Sequence, residues 1–194
     1  MTKRRVMDPD GKRAAIMASA ERLFAEKGYT RATIADVADA AGVAVGSVYR
    51  LFPDKPALLA ALHQRMEQRF VDVMKKGWGE AEHYADRFAP MIEGLLKETE
   101  RLREIMPLYA MTKDMAGATD YVPNALMIEA ISRLYTDGVA AGAFRKIDPS
   151  VQAHLGFAMV EGGIRAWMAN PSKQRMKAVT KELAEVFRRA FVKT

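Results

Sequence analysis

The chain has 194 residues, 49% of them hydrophobic. That is enough apolar matter for a sizeable core, and it excludes a globally disordered chain. The absence of cysteine excludes disulfides, thiolate metal sites and cysteine nucleophiles, and it fits a reducing cytoplasm. No apolar run approaches the ~18 residues of a membrane span. The basic start at Lys3, Arg4 and Arg5 has no apolar segment behind it, so neither a membrane partner nor a signal peptide is expected. The net charge of +6 is uneven: +3 over residues 1–56, −2 over 57–172 and +5 over 173–194. A basic first part fits DNA. The basic last part also reads as a solvated helix face.

In chain order, residues 3–5 read as a frayed arm, either a solvated tail or a reader of a minor groove. Asp8-Pro9-Asp10 is a helix start with proline near its first position. Ile16, Ala20, Leu23 and Phe24 form the inner stripe of this first helix, and Gly28 ends it. The stretch 33–59, TIADVADAAGVAVGSVYRLFPDKPALL, organises the rest. Thr33 and Asp36, three apart, form a reciprocal cap. Ile34, Val37, Ala38 and Ala41 recur at helical spacing. Gly42 then supplies a left-handed turn. Residues 45–51 make a second short helix, with Val48, Leu51 and Phe52 facing inward. Two short helices with a tight turn between them form a helix-turn-helix, whose second helix enters a DNA major groove.

Thr33, Asp36, Ala38, Ala41-Gly42-Val43, Gly46, Tyr49, Phe52, Lys55 and Leu58-Leu59 stand in one register. Over residues 16–62 this pattern resembles the tetracycline-repressor-like (TetR) family of bacterial transcription regulators. Tyr49 and Lys55 resemble the family's phosphate-contacting tyrosine and lysine. Arg50 adds a further contact, and Arg31 and Thr33 lie where a helix N-terminus favours phosphate. Ala44, Val45, Gly46 and Ser47 open the reading helix, and their short side chains permit close approach to base edges. Ala44 stands where the family often has a capping Ser or Thr. Ala35 stands where many members have a base-reading arginine, so the preceding helix is expected to contribute less to specificity.

Asp54 and Pro56 start a fourth helix that carries Leu58, Leu59, Leu62, Met66, Phe70 and Val73 to about residue 76, where Gly77-Trp78-Gly79 is expected to break it. His63 and Glu67 read as its solvent face. Further helices are expected over 84–102, kinked at Pro90; over 103–113, interrupted by Pro107; and over 122–141, 149–169 and 172–193. A loop is expected at 114–120. No period-2 strand is evident. The fold class is therefore all-α: an N-terminal three-helix bundle with a helix-turn-helix over 1–56, and a C-terminal helical domain over 57–194, joined by the fourth helix.

By resemblance, the C-terminal part is a ligand-binding and dimerisation unit. The resemblance implies a cytoplasmic homodimer that binds a double-stranded DNA operator and a small-molecule effector. Gly156, Gly162, Gly163 and Ala166 on the eighth helix, and Val179, Leu183, Val186, Phe187 and Ala190 on the ninth, are the expected interface. Candidate effector contacts are Met91, Leu95, Met106, Tyr109, Met111, Tyr121, Met127, Phe157, Glu161 and Trp167. Glu161 also reads as an ion-pair partner of Arg165 one turn on. Thirteen methionines suit an adaptable apolar interior. No cofactor, metal or catalytic residue is expected. A helical metal enzyme has two features in its favour: Glu-x-x-His at residues 80–83, where a di-iron bundle needs two such copies and further glutamates, and His63 with Glu67, four apart, which a solvent face explains more simply. An architectural DNA binder without an inducer is the other alternative.

Overall fold

The computed structural model describes residues 8–110 and 124–193. Among these residues run α1 (Pro9–Lys27), α2 (Ile34–Ala41), α3 (Val45–Leu51), α4 (Lys55–Gly79), α5 (Phe88–Arg101), α6 (Met106–Ala110), α7 (Ala125–Ala140), α8 (Pro149–Met168) and α9 (Lys173–Phe191), with a single 3-10 turn at Tyr84–Asp86. They fall into two compact units, Met1–Arg65 with Arg103–Pro123 and Met66–Leu102 with Asn124–Thr194. The sequence places the division at residue 56. Packing places it within α4 and returns α6 to the first unit.

Local chemistry sets the helix starts. Asp8 accepts from Gly11 N at 2.6 Å, Asp54 from Ala57 N at 2.7 Å, and Ser172 from Arg175 N at 3.1 Å. Asp148 caps α8 through Ser150 N and Val151 N, with Pro149 in the first turn. The core of the first unit is a closed set. Ile16, Ala20, Val37, Val48, Leu58, Leu59 and Leu62 are each 0% exposed, and Phe24 and Phe52 close around them. Leu51 is half-buried rather than inward-facing.

Long-range packing corrects several sequence expectations. His63 and Glu67 do not form a solvent face; both are 3% exposed. The His63 ring stacks on Tyr109 of α6, with centroids 5.7 Å apart. A Glu67 carboxylate oxygen accepts from Asn124 N at 2.6 Å. Tyr109 also donates to Glu21 at 2.8 Å, and Arg65 pairs with the same carboxylate. The glycines at 77 and 79 do not break α4, which runs on to Gly79. Gly77 instead marks a helix crossing, where a Cβ would lie 2.7 Å from both Met91 Cα and the Pro90 carbonyl. Pro90 does not kink its helix. The expected helix over 84–102 is a 3-10 turn followed by α5, which places Pro90 in the first turn, where a proline lacks no needed hydrogen bond. Likewise Pro107 opens α6 instead of interrupting it, and residues 103–105 are turn. Val73 is half-buried while Val71 and Met74 take the inner stripe. The arm at residues 3–5, the loop at 114–120 and the expected helical residues 111–113 and 122–123 lie outside the described residues.

In the second unit α5 packs on α4, α8 and α9, and α7 pairs with α8. The far end of α9 is tied down. Arg145 N donates to Phe191 O and Lys193 N to Ala143 O, each at 2.9 Å, around an antiparallel bridge between Phe144 and Val192. No helix among the described residues is long and apolar enough to cross a membrane.

Candidate functional site

The first unit presents a small, exposed helix face. The Thr33 hydroxyl accepts from Asp36 N at 3.1 Å, while the Asp36 carboxylate accepts from Thr33 N at 2.8 Å, which completes the reciprocal cap. The backbone and hydroxyl bonds from Thr33, with Lys27 adding to them, hold the Asp36 carboxyl below its usual range. Because the folded value is the lower one, the cap stabilises the protein above the ordinary carboxylate range. That stabilisation is lost as pH falls below about 3.9. Replacing Thr33 by alanine should remove about 1 kcal/mol, measured as a shift in the urea midpoint at neutral pH, and the deficit should shrink in acid.

Gly42 takes φ 66, and its neighbour Val43 N returns to Ala38 O at 3.0 Å. This closes α2 and swings the chain into α3. Val48 anchors α3 in the core at 0% exposure. The same turn leaves Ala44, Val45, Gly46, Tyr49 and Arg50 exposed, with Ser47 half-buried. Tyr49 is 51% exposed. No described residue lies within 4 Å of a Cβ built on Gly46. Ala44 gives α3 no side-chain cap, as the sequence implies.

The flanking cations differ in their freedom. Arg31 is exposed and uses one N–H on Lys27 O at 2.8 Å. Lys55 is tied inward: its ammonium donates to Thr30 O at 3.3 Å and sits 4.4 Å from the Tyr29 ring centroid. Burial lowers its pKa. Lys55 thus braces the loop between α1 and α2, a use that sequence spacing does not show.

The second unit holds an apolar cavity of about 40 Å³. Of the ten candidate effector contacts, Met91, Leu95, Met127 and Phe157 line it. Glu161 pairs with Arg165 at 3.3 Å. Trp167 lines a separate groove and donates to Ser172 O at 3.3 Å. Tyr109 belongs to the first unit, on His63 and Glu21, and half-buried Met106 lies one turn away on the same short helix. Met111 and Tyr121 lie outside the described residues. The sequence reading missed the aromatic wall. Phe88 stacks on Phe144 at 5.7 Å, Phe144 on Tyr135 at 5.1 Å, and Trp78 meets Phe88 edge-on at 5.3 Å. The Tyr135 hydroxyl is engaged by Arg145 O at 2.5 Å. The reading also missed Gln152. It lines the cavity at 1% exposure, and among the described residues neither its amide oxygen nor its amide nitrogen has a hydrogen-bond partner. Each buried polar atom left without a partner costs about 1–3 kcal/mol.

The expected interface residues separate into two sets. Gly156 packs within the chain against Ile131 and Phe187, and Gly163 against Leu183 and Val179. Phe187 is buried and lines the cavity. All three residues pack within the chain. Gly162, Ala166 and Val186 are exposed, and Val179, Leu183 and Ala190 are half-buried. Val151, Leu155 and Ala158 extend the exposed face of α8, with Val151 at 53% and Leu155 at 51%. Among the described residues no group of three or more His, Cys, Asp or Glu side chains is placed to hold a metal ion.

Known proteins share this fold. A family profile of bacterial regulatory proteins, tetR family, matches residues 16–62. Over 184 residues the chain is 28% identical to the HTH-type transcriptional regulator TtgR of Pseudomonas putida, covering 88% of this chain and 87% of that protein. It resembles SmeT, the repressor of the Stenotrophomonas maltophilia multidrug efflux pump SmeDEF, with a TM-score of 0.67 at 26% identity, covering 93% and 90% of the two chains. SmeT is also known in complex with triclosan. A protein of unknown function from a Rhodococcus species shares the fold with a TM-score of 0.77 at 22% identity, covering 100% of both chains.

Proposed function

We propose that this chain, which belongs to the tetR family of bacterial regulatory proteins, is a homodimeric, ligand-responsive repressor acting in the cytoplasm on a near-palindromic operator. The observation that carries the reading is α3: its inner side is locked by Val48, and its outer side offers small groups, a tyrosine and an arginine. Ala44, Val45, Gly46 and Ser47 would meet base edges. Tyr49, Arg50, Arg31 and Thr33 would lie along phosphates, which position the protein without reading sequence. Lys55 would act mainly by fixing the loop that presents Arg31.

The second copy is supported by the exposed row Val151, Leu155, Ala158, Gly162 and Ala166 on α8. These residues recur at helical spacing and leave an apolar stripe facing water. Val186 on α9 extends it. A two-fold pair would set its reading helices about 34–36 Å apart, one turn of DNA. Replacing Leu155 by arginine should give a folded monomer by light scattering, with DNA affinity at least about tenfold lower, since two half-sites no longer bind together.

An apolar or aromatic molecule in the cavity would release the operator by favouring a dimer geometry with the wrong spacing. It can do so only as far as it binds that geometry better. α4 is the natural connection, since it is one helix from Lys55 to Gly79 and lines the cavity with Met74 and Trp78. Selection of duplexes from a random DNA pool at fixed salt, with the mass of the complex measured alongside, tests the reading. The expected result is an enriched palindrome bound by dimers. Binding that enriches nothing and fades with salt would make the protein an architectural DNA binder instead.

A further inference from the structure

We infer that the cavity takes a neutral aromatic molecule bearing one group that both donates and accepts a hydrogen bond, such as a phenol or a lactam, and that Gln152 is the residue that holds it. The inference rests on the reading of the cavity as the effector site and deepens it.

The lining of the cavity is aromatic, aliphatic and methionine, apart from the Tyr135 hydroxyl, the Trp78 indole N–H and Gln152. Tyr135 is already bonded to Arg145 O. Gln152 is different in kind. Its position on α8, four residues before Gly156, turns its side chain to the cavity, and burial at 1% exposure keeps bulk water away. An amide carries two N–H donors and a carbonyl acceptor. All of this capacity stands unused: among the described residues neither polar atom has a partner. A ligand that fills the cavity without pairing this amide leaves it desolvated, whereas one that donates to and accepts from it does not.

The charge of the lining narrows the class. Among the described residues no Lys, Arg, His, Asp or Glu lines the cavity. A carboxylate would therefore enter without a cation, and an ammonium without an anion, each against a heavy desolvation cost. This argues against fatty acids as their anions and in favour of uncharged molecules. Flat rings fit the stacked walls of Phe88, Phe144 and Tyr135. At about 40 Å³ the cavity has room for little more than water. A ring must therefore displace side chains, and Met74, Met91 and Met127 are the flexible part of the wall.

The test uses the full-length protein, its near-isosteric variant Gln152→Met, and three probes of one shape: 2-naphthol, 2-methylnaphthalene and 2-naphthoate. Dissociation constants come from titration calorimetry. The wild-type protein should prefer 2-naphthol to 2-methylnaphthalene and bind 2-naphthoate weakest. In Gln152→Met the ratio of the first two constants should shift toward 2-methylnaphthalene by about tenfold. In ¹⁵N spectra, the side-chain NH₂ pair missing from the variant should move when 2-naphthol is added to wild type.

Binding of the hydrocarbon and the phenol in the same ratio to both proteins overturns the role of Gln152 while leaving the cavity a ligand site. Tight binding of 2-naphthoate overturns the exclusion of acids. Failure of all three probes to bind removes the cavity as a ligand site, and the anchor with it. Probes that bind with the expected ratio and leave an enriched operator occupied would sink the effector reading alone.

Discussion

Replacing Gly77 by alanine should lower the melting temperature by about 5 °C, while the same change at Gly79 should leave it unmoved or raise it by a few degrees. A Cβ at Gly77 would stand 2.7 Å from Met91 Cα and from the Pro90 carbonyl. Both are backbone atoms, so no rotamer change relieves the contact. α5 must move off α4, carrying Met91 and Leu95 of the cavity wall with it. Overpacking of this kind costs about 1–3 kcal/mol, occasionally more, and each kcal/mol is worth about 2–4 °C in a chain of this size. At Gly79 no described residue lies within 4 Å of the added carbon. Thermal unfolding of the two variants, followed by circular dichroism, decides the matter. Equal melting temperatures would mean that the helices do not cross at Gly77.

Replacing Gly46 by alanine should have the opposite effect on stability and a large effect on DNA. The position lies in the first turn of α3, with no described residue within 4 Å of an added Cβ. Alanine favours the helix over glycine by about 1 kcal/mol, so the variant should unfold at higher urea. On the proposed reading, however, the methyl group points where the groove floor or wall would be. The enriched operator should then be bound about tenfold more weakly, the low end of the cost of overpacking a close interface. A more stable protein that binds worse separates recognition from folding. Unchanged affinity at higher stability would show that α3 does not approach DNA at this glycine.

What the sequence disclosed and what it hid divide by distance along the chain. The caps by Asp8, Thr33 with Asp36, and Asp54 each bond within three residues. A local pattern is therefore sufficient to read them. The turn at Gly42 is of the same kind. Gly77 looks identical in the sequence but serves another purpose, because its reason is the backbone of α5 passing alongside. His63 and Glu67 have the i, i+4 spacing of a charged outer face, yet their partners Tyr109 and Asn124 come much later in the chain. The exposed surface of α3 was legible because the pattern over residues 33–59 marks Val48 as its core side, although Leu51, expected inward, is half-buried.

The cavity was only half legible. The resemblance offers Tyr109, Trp167, Met91 and Leu95 together as effector contacts, but nothing local in the sequence says which of them share a space. Gln152 gave no signal at all. A glutamine near the start of a helix is ordinary, and its meaning comes from the aromatic side chains that α4, α5, α7 and α9 bring around it.

The clasp at the end of α9 has a practical consequence. Chain ends usually fray, so their amides exchange with solvent in seconds or less. Here the amides of Arg145 and Lys193 are locked into hydrogen bonds at 2.9 Å on either side of Phe144 and Phe191, two walls of the cavity. Their deuterium uptake is therefore a built-in gauge of whether those walls are at rest or pushed apart, readable by mass spectrometry on the peptides that carry residues 145 and 193, without an attached dye, a known operator or an identified effector.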